Sequence, residues 1–252
     1  MQDPVWNVKL YGGRGSTPVC EPGFQKYGGN TTCIYVDLLI NDRSKMLVIF
    51  DAGTGIRLLS NDIEKGKIPK TEYIFMIFTH LHWDHASGIE DFPQVPVWVQ
   101  QAEYDQAMAG SAPAFLHSQI DDETINWHFI ELMKGEYEGF VKSLDVYGDG
   151  SIVLVDMSGH SAGQIGIFLT ISSGKRFFFI GDTTWTIKGV ADNADRPAVL
   201  SWLVKVNWND DMNIAQIQTV HDLHYNRPDI TVVPAHDEIV AKGLPAFPAF
   251  LY

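Results

Sequence analysis

Between Thr79 and His85 the chain reads Thr-His-Leu-His-Trp-Asp-His, placing three imidazoles and a carboxylate within six consecutive positions. The motif follows an apolar run, Tyr73-Ile-Phe-Met-Ile-Phe78, whose length and β-branched and aromatic content read as a buried strand. In extended backbone alternate side chains point the same way, so His80 and His82 share a side. Asp84 and His85 come after the chain turns and can face a neighbouring position. The pattern suits two metal ions side by side, two imidazoles for one and a carboxylate with an imidazole for the other. A histidine-rich polar loop is the plain alternative. Nine His in 252 residues is no excess, however, so three in six positions beside an Asp are hard to reach by chance.

Three later residues share that context. Strand Ser151–Val155 leads to Met157-Ser-Gly-His160, strand Phe177–Ile180 to Gly181-Asp182-Thr-Thr-Trp185, and strand Ile230–Val233 to Pro234-Ala-His236-Asp237. Loops at the ends of core strands are where a rigid scaffold places a site. A lone His or Asp after a strand is ordinarily a turn residue. Together with the first motif, His160, Asp182 and His236 complete a coordination set.

The remaining elements must hold these loops in place. Strands are expected at Val5–Tyr11, Cys33–Ile40, Met46–Phe50, Val95–Gln100 and Ile165–Ile171. A helix is expected over Ile56–Lys65 with Leu58, Leu59 and Ile63 on one face, and another over Ala102–Ala109. A longer one spans Asp210–Tyr225, with Ile214, Ile217, Val220 or His221, and His224 on one face. Glycine-rich turns lie at Gly12–Pro18 and Tyr27–Thr31, with a hairpin over Asn41–Ser44. The first is no dinucleotide fingerprint, since its third glycine is missing and no helical pattern follows. Strand, hairpin, strand, then Asp51-Ala-Gly-Thr recurs later as strand, hairpin, strand, then Gly-Asp182-Thr-Thr, a weak duplication that suggests two similar sheet halves packed together. Residues 110–148 are the least periodic and read as an insertion near the site, or a lid, with His117 and His128 left out of the metal set. No linker or low-complexity stretch divides the chain, so 1–252 reads as a single domain.

Composition narrows the function. A net charge of −13 argues against a long nucleic acid as partner, because such binding rests on clustered Lys and Arg. Hydrophobic content of 45% with 19% charged residues is ordinary for a globular protein. No apolar run approaches the roughly 20 residues that cross a bilayer, and Met1-Gln-Asp-Pro-Val-Trp has neither a basic nor an apolar leader region. The expectation is a cytoplasmic protein with a small-molecule substrate and no membrane partner. Two cysteines, Cys20 and Cys33, exclude a disulfide scaffold and a Cys-type zinc finger. For oligomeric state there is no signature, and a homodimer is the first assembly to test.

These residues resemble the metallo-β-lactamase superfamily. Its HxHxDH motif is matched by His80, His82, Asp84 and His85, and its later single ligands by Gly-His160, Gly-Asp182-Thr and Ala-His236. The resemblance runs over nearly the whole chain, including Asp51-Ala-Gly-Thr-Gly. It implies an α+β four-layer αβ/βα sandwich with the metals at one edge between the sheets. It implies His80, His82 and His160 on one ion, Asp84, His85 and His236 on the other, Asp182 bridging both, and Asp51 orienting a ligand. Imidazole and carboxylate without thiolate suit two Zn2+, with Mn2+ or Fe2+ as alternatives. Two such ions share a hydroxide that is nucleophilic near neutral pH and stabilise the oxyanion that develops, and Asp84 is the candidate to move a proton to the leaving group.

Two branches compete for the substrate. The N-terminal glycine-rich turns and Phe-Asp51-Ala-Gly-Thr-Gly-Ile-Arg look like the phosphodiesterase, RNase Z-like branch; Gly-His160-Ser-Ala-Gly-Gln-Ile-Gly and Gly-Asp182-Thr-Thr-Trp look like lactonase-type members. Trp83 and Trp185 adjoin ligands and are candidate walls of an apolar pocket, with ordinary core packing as the alternative. For a phosphate, Arg14 and Lys188 are the nearest cations. The expectation is therefore carboxyl-ester or lactone hydrolysis, with phosphodiester hydrolysis second and β-lactam hydrolysis third. A diiron oxidoreductase would need a flavin partner domain, and a catalytically silent relative would have lost ligands.

Overall fold

Two-residue alternation along single strands sets the layering of this molecule, seen in a computed structural model that describes residues 5–13, 31–40, 43–68, 71, 73–197 and 206–244. One six-stranded sheet runs β1 (Val5–Gly12), β2 (Cys33–Ile40), β3 (Arg43–Ala52), β4 (Tyr73–Ile77), β5 (Pro96–Gln100), β6 (Asn126–Ile130), in that order. A second runs from β7 (Met133–Tyr137) through β8 (Phe140–Asp145), β9 (Ile152–Asp156), β10 (Ile165–Thr170) and β11 (Arg176–Phe179) to β12 (Ile230–Val233). Val48 and Phe50 of β3, Phe75 and Ile77 of β4, Ile152 and Leu154 of β9, and Ile165 and Ile167 of β10 face inward and fill the space between the sheets. Their alternates, Leu47, Ile49 and Met76, face helices on the outer side of the first sheet, including α1 (Ile56–Glu64), α3 (Gln101–Ala109) and α4 (His117–Ile120). Val153, Val155 and Phe168 do the same on the second sheet, against α5 (Ile187–Ala191) and α6 (Asp210–Asn226). Burial on both faces explains why these strands read as continuous apolar runs. The result is helix, sheet, sheet, helix: the four-layer sandwich that the resemblance implies.

The suspected duplication exists in the pairing. β1 to β4 pair antiparallel, antiparallel, parallel, and β9 to β12 repeat that order. His80 and His236 then occupy equivalent places, three residues beyond the last residue of β4 and of β12. A main-chain bond from Ile165 N to Thr79 O, 2.9 Å, ties the sheets together beside His80.

Several expectations change. Residues 110–148 hold α4 and three strands, β6, β7 and β8, which extend both sheets. They were hard to read because Met133, Val141 and Phe129 are exposed and the buried alternation is lost. On α6 the inward residues are Asn213, Ile217, Val220 and Leu223, while Ile214 is exposed. Leu58 is likewise exposed, and α1 buries Ile56 and Leu59. Arg14, Cys20, the turns expected within 14–30 and Asn41-Asp42 lie outside the described residues. Cys33 is buried and unbridged. Among the described residues no helix is long and apolar enough to cross a membrane.

Candidate metal centre

The loops after β4, β9, β11 and β12 meet at one edge between the sheets. Donor atoms of His80, His82 and His160 form one group within 4.8 Å of one another, and those of Asp84, His85 and His236 form a second. His82 and Asp84 reach different groups because the chain turns into a short helix, α2 (Trp83–Ala86), directly after the extended residue His82. Asp182 stands between the groups. Its Oδ1 lies 3.4 Å from His85 Nε2 and 3.1 Å from His236 Nε2, and its Oδ2 lies 3.8 Å from His160 Nε2. All seven residues expected as ligands therefore converge, each carboxylate oxygen of Asp182 facing a different group.

A buried scaffold orients the rings. Asp51 Oδ2 lies 2.8 Å from His85 Nδ1, and Thr79 donates its amide to Oδ1 at 2.7 Å and its hydroxyl to Oδ2 at 2.8 Å. Thr79 Oγ1 is also 3.1 Å from His80 Nδ1. Asp51 adopts φ 53°, a left-handed conformation that Asp tolerates better than most residues and that is often retained at functional sites. Gly53 follows because a Cβ there would lie 2.3 Å from the Asp84 carbonyl oxygen. His160 Nδ1 is 3.2 Å from Asn207 Oδ1, leaving Nε2 to face His82 Nδ1 at 3.0 Å.

The donor set fits a cation. His80 Nε2, Asp84 Oδ2, His85 Nε2 and Asp182 Oδ1 are buried without a hydrogen-bond partner. Such atoms are rare and costly unless something else satisfies them. Burial pushes His82 down to about 4 and holds His80 and His160 well below the usual histidine range, so these rings are neutral bases. Burial also opposes charge on His236 and His85, but carboxylates outweigh it. Asp182 and Asp84 raise His236 to about 9, and Asp51 with Asp84 raises His85 well above its ordinary value. Those protons balance the acidic residues, a role that a bound divalent cation would take over while releasing them.

Other expected residues fall differently. Trp83 and Trp185 are half-buried beside the centre. The Trp185 indole N–H donates to Asp182 Oδ2 at 2.9 Å, a polar duty beyond that of a pocket wall. Lys188 is exposed and paired with Asp192. His117 and His128 are exposed and belong to neither ligand group. Three further residues, none of them marked by a motif, take part. Arg196 is buried, lies over Trp185 with 4.7 Å from guanidinium to ring centroid, donates to the Asp182 carbonyl, and also donates to Asn207 Oδ1 at 3.1 Å. Asn207 in turn steadies His160. Phe115 packs on the His82 ring at 4.9 Å between centroids. None stands in a recognisable spacing, since each is brought in from a distant loop.

Residues 47–241 match the Beta-lactamase superfamily domain. The N-acyl homoserine lactonase AttM of Rhizobium radiobacter is 24% identical over 166 residues, covering 65% of this chain and 57% of the relative. A probable metallo-hydrolase of Mycobacterium tuberculosis is 32% identical over 175 residues, covering 64% of this chain and 54% of the relative. The chain thus spans little more than half the length of either. A solved quorum-quenching N-acyl homoserine lactone lactonase superposes with a TM-score of 0.66 over 100% of both chains at 16% identity, a likeness of fold.

Proposed function

This chain belongs to the β-lactamase superfamily, and from that premise we propose that it is a dinuclear zinc-dependent hydrolase of lactones or related carboxyl esters. The observation that carries the reading is Asp182, one oxygen turned to His85 and His236 and the other toward His160. His80, His82 and His160 would hold one ion, Asp84, His85 and His236 the other, and Asp182 both. Bound there, zinc supplies Lewis acidity and water activated for attack near neutral pH.

The chain's own residues do the rest. Asp51 and Asn207 fix ring orientation through the distal nitrogens of His85 and His160. Asp84 Oδ2 faces His85 and His236 at 3.9 and 3.4 Å, which leaves Oδ1 to carry a proton to the departing oxygen. Phe115, Trp83 and Trp185 give the site apolar surroundings suited to an acyl group. Arg196 is already engaged with Asp195 at 3.0 Å and Lys188 with Asp192, so neither is free to hold an anionic phosphodiester. The lactonase named among the relatives favours the same substrate class.

The test is turnover by zinc-loaded protein of a long-chain N-acyl homoserine lactone and an aryl phosphodiester, side by side, with Asp84→Ala as control. Lactone turnover that vanishes in the variant supports the acyl reading. Phosphodiester turnover in its place would contradict it and favour the alternative branch.

A further inference from the structure

Glu103 on α3 is fully buried, and its carboxylate joins two loops that leave different sheets. Oε1 accepts the amide of Leu81 at 2.8 Å. Oε2 accepts the hydroxyl of Ser161 at 2.5 Å and the amide of Gly163 at 3.0 Å. Leu81 sits between His80 and His82, and Ser161 follows His160. Each of the three histidines grouped at the first metal position is therefore next in sequence to a Glu103 contact, whereas Asp84, His85 and His236 are not. The approach is built in. A Cβ on Gly163 would lie 2.4 Å from Glu103 N, so glycine is what lets the loop reach α3. The same helix adds Gln106, whose Oε1 accepts the Ala162 amide, and Gln100, the last residue of β5 just before it, donates its Nε2 to Gly163 O at 3.1 Å.

We propose that Glu103 is a positioning residue: a buried acceptor clamp that holds the His80–His82 loop and the His160 loop in register and sets the affinity of one of two metal ions without touching it. The inference rests on the dinuclear reading above. Three donors converge on two oxygens, a demand that a carboxylate meets because it only accepts.

Glu103→Gln tests it at constant volume. Whichever way the amide is turned, its N–H group faces a main-chain N–H, so one loop is released. Zinc-chelator competition on the purified full chain reads two dissociation constants. We expect wild-type protein to bind two ions. Glu103→Gln should weaken one of them about 10- to 100-fold, the range for lost support of a metal ligand, and leave the other unchanged. Gly163→Ala should reproduce the asymmetry by pushing the loop off α3. If Glu103→Gln does not fold, Ser161→Ala carries the same prediction at about fivefold for one lost hydrogen bond. Equal weakening of both ions, or no change, would overturn the clamp and leave the dinuclear reading standing. Wild-type protein that binds fewer than two ions would overturn both.

Discussion

Asp51 and His85 stand 2.8 Å apart, carboxylate Oδ2 to ring Nδ1, although thirty-four positions separate them in the chain. The same carboxylate receives both the amide and the hydroxyl of Thr79, which also touches His80. Asp51 thus braces histidines of both groups, His85 directly and His80 through Thr79. Asp51→Asn should keep the fold and weaken both ions, each about 10- to 100-fold. Chelator competition reads this directly, and a variant with wild-type affinity at both positions would contradict the role.

Metal removal should cost stability. His80 Nε2, Asp84 Oδ2, His85 Nε2 and Asp182 Oδ1 are buried without a hydrogen bond, and a cation would satisfy them. With free zinc about 100-fold above its dissociation constant, each ion should add about 2.7 kcal/mol. Thermal unfolding with and without chelator should show a clear rise in Tm with zinc. Coincident curves would count against a resident metal.

Between the sheets, Ile167 is fully buried and pairs with Leu154 and Phe179. Ile167→Ala should destabilise the protein by about 2–5 kcal/mol in urea unfolding. A loss below about 1 kcal/mol would mean that the inter-sheet core is looser than this packing.

Asp156 supplies a pH dependence away from the metal centre. Burial pushes its carboxyl up, but Lys142 at 2.8 Å and two hydrogen bonds from Ser158 outweigh that and hold it below the usual range. A depressed carboxyl contributes stability above its unfolded value of about 3.9 and loses it as pH falls through the folded one. The stability gap between wild type and Asp156→Asn should therefore be widest near pH 7 and close as pH drops below about 4. A gap that widens in acid would reverse the assignment.

Much of this site was legible because metal chemistry and strand burial leave dense local signals. His80 to His85 sit in one run, and His160, Asp182 and His236 each follow an apolar strand. What stayed hidden depends on tertiary contacts. Asn213 faces inward on α6 instead of Ile214 because its amide bonds the Thr183 carbonyl at 3.1 Å and Asp195 at 3.2 Å. Nothing near Glu103 or Arg196 in sequence announces their partners, which lie in distant loops. Strands β6 to β8 escaped because β7 and β8 present exposed residues on both faces.

The central claim is a pair of ions shared by Asp182. X-ray absorption of the zinc-loaded protein, with metal content measured on the same sample, tests it most directly. The account predicts two ions per chain and a metal–metal vector at ~3.5–4 Å, with both the vector and lactone turnover lost in Asp182→Ala. One ion per chain, or an Asp182→Ala variant that keeps both ions at that separation and turns over at the wild-type rate, would contradict it.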